Sequence, residues 1–266
     1  MNIIQPYRYV SPIVGGPVDL KNGNLLCLEM DEVSGTIAYD QSPNNSHFNI
    51  LTGVTINQPG KLDKSMQIPN AYAGNDFGAL QAIHTDTRLA PGPAHTVSQW
   101  VYRIGNSTDL AYGATMSRDA GANGPYRSFI IVIQNNNLFR VYYMDTSSGI
   151  YKNVFYNPSA DIWTGNWKHI VYARDGMSVK LYVDGDIKLD GSYGSGDGIM
   201  NSNADGNVRD TVGCNGDYYN ANGANRDLWR RFNGYIDQSA VWDRQLQQAD
   251  VDALYNGGLG LPYSLW

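Results

Sequence analysis

Residues 27–35 read CLEMDEVSG and put three acids, Glu29, Asp31 and Glu32, within four positions. Carboxylates this close raise glycoside hydrolysis as a candidate chemistry. A retaining glycosidase works with two carboxyl groups about 5–5.5 Å apart, one a nucleophile and the other an acid/base. Side chains on a strand alternate between its two faces. On that period Leu26, Leu28 and Met30 form an apolar face, and Glu29 and Asp31 point away from it. Glu32 falls out of register, Val33 takes the same-face position, and Ser34-Gly35 begins a turn. The segment reads as a core strand and its turn, with glycoside hydrolase activity kept as a remote alternative.

Other catalytic constellations are missing from the sequence. The four histidines, His47, His84, His95 and His169, have no metal-ligand spacing, and there is no Gly-x-Ser-x-Gly, HExxH or phosphate loop. His169, on an alternating stretch beside Trp167, is expected to be a hydrogen-bonded scaffold residue. Cys27 and Cys214 have no CxxC neighbour and read as two buried free thiols.

Two further groups could bind rather than react. The stretch NSNADG offers oxygen ligands at Asn201, Asn203 and Asp205 before Gly206, like the start of an EF-hand loop. Position twelve of that loop is Val212 instead of Glu, and the loop carries a single carboxylate. Tyr218, Tyr219 and Trp229 lie in or beside a long segment rich in Asn, Asp and Gly, where flat rings beside amides could hold a sugar. Trp100, Trp167 and Trp242 sit inside strand patterns and read as packing.

The elements that must position these residues are strands. The 266 residues are 42% hydrophobic and 12% aromatic, with 29 Gly and 19 Tyr, a balance suited to pleated surfaces joined by turns. TVSQWVYR (96–103), RSFIIVIQ (127–134), LFRVYYM (138–144), IYKNVFY (150–156) and WKHIVYA (167–173) read as strands, the second and third forming a hairpin around NNN. In SVKLYVDGDIKL, Asp184-Gly185 sits between two alternating runs and can supply the positive φ angles of a type I′ turn. NGYIDQSAVWD (233–243) is a further strand. After it, LQQADVDALYNG places Leu246, Val251 and Leu254 at helical spacing, one short C-terminal helix ending in Gly257. Residues 1–22, with Pro6, Pro12 and Pro17, read as an extended N-terminal arm, and residues 23–266 as one all-β domain.

Nineteen Lys and Arg against 25 Asp and Glu give a net charge of −6 with no basic run, which excludes a nucleic-acid partner and an anionic membrane surface. No apolar run is long enough to span a bilayer, so no membrane insertion is expected.

Several segments together resemble the laminin-G-like, concanavalin A-like lectin/glucanase superfamily, with distant similarity to its pentraxin members. They are LCLEMDEVSGTIAYDQSPNNSHFNIL, GKLDKSMQI, HTVSQW, GNWKHIVYARDGMSVKLYVDGDIK and FNGYIDQSAVWDRQLQQADVDALYNGG, in order over residues 24–257. The resemblance implies a jelly-roll sandwich of two antiparallel sheets. Glucanases of the superfamily carry Glu-x-Asp-x-Glu or Glu-x-Asp-x-x-Glu on one strand, a pattern that Glu29-Met30-Asp31-Glu32-Val33 does not complete. The strands 96–103 and 167–173 lack the pentraxin disulfide, so phosphocholine binding is not implied. The resemblance also implies a structural calcium ion between the first loop and the last strand, with Asp40, Asn44 or Asn45, and Asp237 as its candidate ligands.

The N-terminus has no cationic region followed by an apolar stretch, which points to a chain made in the cytoplasm without an export signal. An outward-acting domain of this kind suggests a non-enzymatic bacteriophage protein, a virion surface, tail or decoration component released by lysis. The arm would then dock on other subunits of a particle, and the sandwich would meet a host glycan. The alternative is a stand-alone, calcium-dependent carbohydrate-binding lectin.

Overall fold

The alternating segments fold as strands bounded by the turn residues that flank them. The computed structural model describes residues 18–70, 78–83, 92–108, 112–119, 129–145, 150–192, 209–218 and 226–266. The strands begin with β1 (Asn24–Leu28), β2 (Ile37–Ala38), β3 (Phe48–Ile50), β4 (Thr55–Pro59), β5 (Lys64–Ile68) and β6 (Leu80–Ala82). They continue with β7 (Ala94–Arg103), β8 (Tyr112–Asp119), β9 (Phe129–Gln134), β10 (Phe139–Asp145), β11 (Ile150–Tyr156) and β12 (Trp167–Asp175). Then come β13 (Ser178–Val183), β14 (Asp186–Ser192), β15 (Arg209–Val212), β16 (Asn215–Tyr218), β17 (Arg226–Trp229) and β18 (Gly234–Trp242), followed by helix α1 (Gln248–Tyr255).

Two eight-stranded antiparallel sheets result. The first runs β14-β13-β12-β7-β18-β5-β4, with β1 also paired to β18, and the second runs β11-β10-β9-β8-β15-β6-β3-β2. β16 and β17 form a separate hairpin. Pro59, which cannot donate to a ladder, closes the edge strand β4. The turn at Asp184-Gly185 has φ of 54° and 82°, the two positive angles expected of it.

Between the sheets lies the main core, built from Leu26, Leu28, Met30, Phe48, Val97, Val101, Phe139, Trp163, Ile170 and Ile236 among others. The expected inward face of the first strand is therefore correct, Met30 included, although Met30 turns out of the strand at φ 64°. Cys27 and Cys214 are buried free thiols in separate clusters.

A second apolar cluster covers part of the outer face of the first sheet. It joins Cys27, Val171, Ala173, Ala240 and Trp242 to Leu246, Val251 and Leu254, with Leu20 and the partly buried Trp266 at its margin. At eight residues α1 is too short to persist alone in water. It is held by Leu246, Val251 and Leu254, each worth about 1.5–3 kcal/mol when buried. Leu246 precedes the helix and packs with Val251 as a hydrophobic staple, while Asp250 accepts the Gln247 N–H at 2.8 Å. Residues 18–22 lie against this cluster, with Trp242 Nε1 donating to the Leu20 carbonyl at 2.7 Å.

Candidate functional site

The period-2 alternation of β7, β12 and β18 places side chains in rows across the outer face of the first sheet. One row is Trp167–Tyr102–Tyr235 and the next is His169–Trp100–Asp237, each set being register partners on neighbouring strands. In the first row the ring centroids are 5.7 Å apart for Tyr102 and Trp167 and 5.6 Å for Tyr102 and Tyr235, both edge-on. These three rings are half-buried, whereas Trp100, His169 and Asp237 beneath them are buried.

Tyr255, the last residue of α1, stacks on Trp100 at 5.9 Å with an interplanar angle of 21°. It reaches that position because Gly185 presents no side chain: a Cβ there would lie 2.9 Å from the Tyr255 ring. The outcome is an open cleft of about 460 Å³ walled by Trp100, Tyr102, Trp167 and Tyr255, with Lys61, Asn166, Lys168 and Asp184 as its polar side chains.

Each polar wall is braced from behind. Lys168 Nζ meets Asp184 Oδ2 at 2.6 Å, and Asp184 Oδ1 accepts the His169 N–H at 3.0 Å. The segment carrying Gly165 and Asn166 is tied down by Arg103, which donates to Thr164 Oγ1 at 3.0 Å and pairs with Asp161 at 2.8 Å. Burial opposes ionisation of Asp161, but hydrogen bonds from Thr164, Trp163 and Arg103 outweigh it and hold its pKa down to about 2.

The lower row is a scaffold. His169 Nε2 shares a 2.8 Å hydrogen bond with Ser98 Oγ, and burial pushes its pKa down to about 3, so the ring is neutral. Asp237 Oδ2 accepts the N–H groups of Lys61 at 2.7 Å and Leu62 at 2.9 Å. Burial lifts Asp237 to about 7 against the pull of those two bonds. Asp237 Oδ1 and Trp100 Nε1 are both buried with no protein partner among the described residues. The backbone thus held carries Lys61 into the cleft, where its Nζ lies 5.0 Å from the Trp100 ring centroid.

The acids that opened the sequence lie elsewhere and serve the backbone. Glu29 accepts the Tyr263 N–H at 2.8 Å, Asp31 the Lys64 N–H at 2.9 Å and Glu32 the Tyr39 N–H at 2.8 Å. All three have raised pKa values, burial being the largest cause. Each acid ties a different segment.

Of the residues expected to hold calcium, Asp40 has both carboxylate oxygens engaged by the protein. Asp40 accepts from Cys27 N, Ser42 N, Ser42 Oγ and Ser46 N at 2.7–2.9 Å. Asn44 and Asn45 aim their amide NH₂ groups at the Leu25 and Pro43 carbonyls, and Asp237 holds the 61–62 backbone instead of the first loop. With donors on both its oxygens, Asp40 closes an Asx-type turn. Among the described residues no group of three or more His, Cys, Asp or Glu could hold a metal ion.

Asn201, Asn203, Asp205 and Tyr219 lie outside the described residues. Tyr218 and Trp229 belong to the β16–β17 hairpin by their backbone, and their side chains lie outside the description. Of the tryptophans read as packing, Trp100 and Trp242 are buried, but Trp167 is half-exposed and walls the cleft. Sequence reasoning passed over Tyr102, Tyr235, Tyr255 and Lys61. The signal for the first was present, since Trp100 and Tyr102 share the face opposite core residues Val97 and Val101.

Two packed antiparallel sheets with a ring-lined outer cleft define a lectin-like jelly-roll domain. The chain belongs to the concanavalin A-like lectin/glucanases superfamily, whose laminin G-type family model matches residues 76–252. A search of curated proteins returned no match. Among solved structures, the botulinum neurotoxin serotype D binding domain superposes with a TM-score of 0.61 at 14% identity, covering 89% of this chain and 52% of that one. The serotype G binding domain gives 0.61 at 16% identity, covering 87% and 50%. The chain thus spans about half the length of the neurotoxin structures it matches. Domain 4 of AbnA, a GH43 extracellular arabinanase from Geobacillus stearothermophilus, in complex with arabinotriose, gives 0.58 at 17% identity, covering 90% of this chain and 98% of that domain.

Proposed function

We propose that this protein is a non-enzymatic carbohydrate-binding domain whose glycan lies in the cleft between Tyr102, Trp167 and Tyr255. The observation that carries it is the grouping of half-exposed rings with fixed polar groups in one open cleft. Ring faces accept the apolar faces of a sugar, and a few placed polar groups orient its hydroxyls. The arabinotriose complex of AbnA domain 4, matched over nearly its full length, supports a glycan ligand. The non-catalytic reading is supported by the acids: Glu29, Asp31 and Glu32 hold backbone N–H groups, Asp184 is paired with Lys168, and Asp237 is buried. The virion role comes from the sequence reading of an outward-acting domain without an export signal; residues 1–17 of the arm through which it would dock lie outside the described residues, and no feature of the cleft favours it.

A glycan array followed by calorimetry on the retained oligosaccharide tests the proposal. Trp167→Ala should weaken binding at least tenfold while leaving the circular dichroism spectrum and melting temperature close to wild type. Undiminished binding by that variant would move the site elsewhere, and an array with no retained glycan would refute carbohydrate binding itself.

A further inference from the structure

The charges in the cleft do not cancel. Lys168 is neutralised by Asp184 at 2.6 Å. Lys61 has no carboxylate within ion-pair distance among the described residues, and its Nζ lies 5.0 Å from the Trp100 ring centroid. One uncompensated ammonium group therefore faces the cleft of a chain whose net charge is −6.

That ammonium is carried on a braced backbone. Asp237 Oδ2 grips the N–H groups of Lys61 and Leu62, and the Gly60 N–H donates to the Asp63 carbonyl at 3.0 Å. Gly60 is itself pressed against Lys64 and Asp237, where a Cβ would lie 2.2 Å from the Lys64 carbonyl oxygen and 2.8 Å from Asp237 Oδ2. The braced turn fixes where the Lys61 side chain starts, its flexible stem lets the ammonium reach an anionic partner in the cleft, and charge-assisted hydrogen bonds to carboxylate are stronger than neutral ones.

We propose that the cleft selects glycans bearing a carboxylate, uronic or sialic acid residues, with Lys61 as the partner of that group. This rests on the cleft being the sugar site. The ring platform supplies contact with the sugar body, which neutral and acidic sugars share, and Lys61 supplies the discrimination.

Matched ligand pairs test it: sialyllactose against lactose, and trigalacturonate against its methyl ester, each titrated by calorimetry into the full chain. The acidic member of a pair should bind at least tenfold tighter, with that preference shrinking as salt is raised. Lys61→Gln should bring the acidic and neutral members together, and Lys61→Arg should keep them apart. Both variants retain the main-chain N–H groups that Asp237 holds, so the fold is preserved. Equal binding of acidic and neutral members by wild type, or a preference unchanged in Lys61→Gln, would overturn the selectivity while leaving the cleft as a sugar site. Failure of every acidic and neutral sugar, on these pairs and on the array, would overturn the sugar site together with it.

Discussion

Asp237 is expected to make the protein less stable as pH rises through neutrality, and Asp237→Asn should remove that dependence. The side chain is fully buried, and burial lifts its pKa from 3.8 to about 7. Between those values the folded protein keeps a proton that the unfolded chain releases. The stabilisation is complete below pH 3.8 and is lost as pH rises through about 7. The slope reaches about 1.4 kcal/mol per pH unit, and the interval sums to roughly 4 kcal/mol. Asparagine cannot ionise. Its carbonyl can accept the Lys61 and Leu62 N–H groups, with the NH₂ in the place of the proton-bearing oxygen.

Urea unfolding of both proteins at pH 5, 6, 7 and 8 measures the effect as a difference. Glu29 and Glu32, whose pKa values are also raised, titrate in both proteins and drop out of that difference. Asp31, whose charge acts on Asp237, is coupled to it and should titrate slightly lower in the variant. Wild type should lose about 2.5 kcal/mol relative to Asp237→Asn between pH 5 and pH 8, most of it below pH 7. A difference that stays constant within about 1 kcal/mol across the range would show that Asp237 is ionised throughout, and the reasoning from burial would be wrong.

Three other outcomes are expected. Asp40→Ala strands the buried N–H groups of Cys27 and Ser46 and should cost about 3 kcal/mol or more in chemical denaturation; a cost below 1 kcal/mol would mean that water replaces the carboxylate. Calcium titrations of wild type and Asp40→Asn, followed by melting temperature, should superimpose, and a shift lost only in the variant would restore Asp40 as a ligand. Gly185→Ala meets both φ 82° and the Tyr255 ring, so it should cost about 1–3 kcal/mol and weaken glycan binding with it; wild-type affinity in a folded variant would uncouple the turn from the cleft.

Much of the fold was legible because its signals are local. The alternation around Leu26 and Leu28, the Asp184-Gly185 turn and the spacing of Val251 and Leu254 each follow from a few neighbouring residues. The cleft is not local, since its rings come from β7, β12 and the end of α1, with Tyr235 of β18 behind them. A strict period of two from Asp237 would also send Ser239 and Val241 outward. The ladder instead slips between Asp237 and Ala240, where Gln238 takes φ 40° and donates to the Leu261 carbonyl at 2.7 Å. That bulge turns Ala240 and Trp242 outward and Val241 into the core, and nothing in the alternation of NGYIDQSAVWD announces it.

The slip also explains how one sheet face serves two purposes. Beyond the rows Trp167–Tyr102–Tyr235 and His169–Trp100–Asp237, the next rows on the same strands are Val171–Ser98–Ala240 and Ala173–Thr96–Trp242. On β7 and β12 the outward side chains shrink along the strands, and the small end is where α1 docks. Thr96 Oγ1 donates to the Arg244 carbonyl at 2.8 Å and accepts the Leu246 N–H at 2.9 Å, fixing the approach to the helix. Nine residues after Leu246, α1 ends at Tyr255, whose ring lands on Trp100. The helix therefore has to be short: it covers the small side chains and stops where the large rings begin, and its last residue becomes one wall of the cleft.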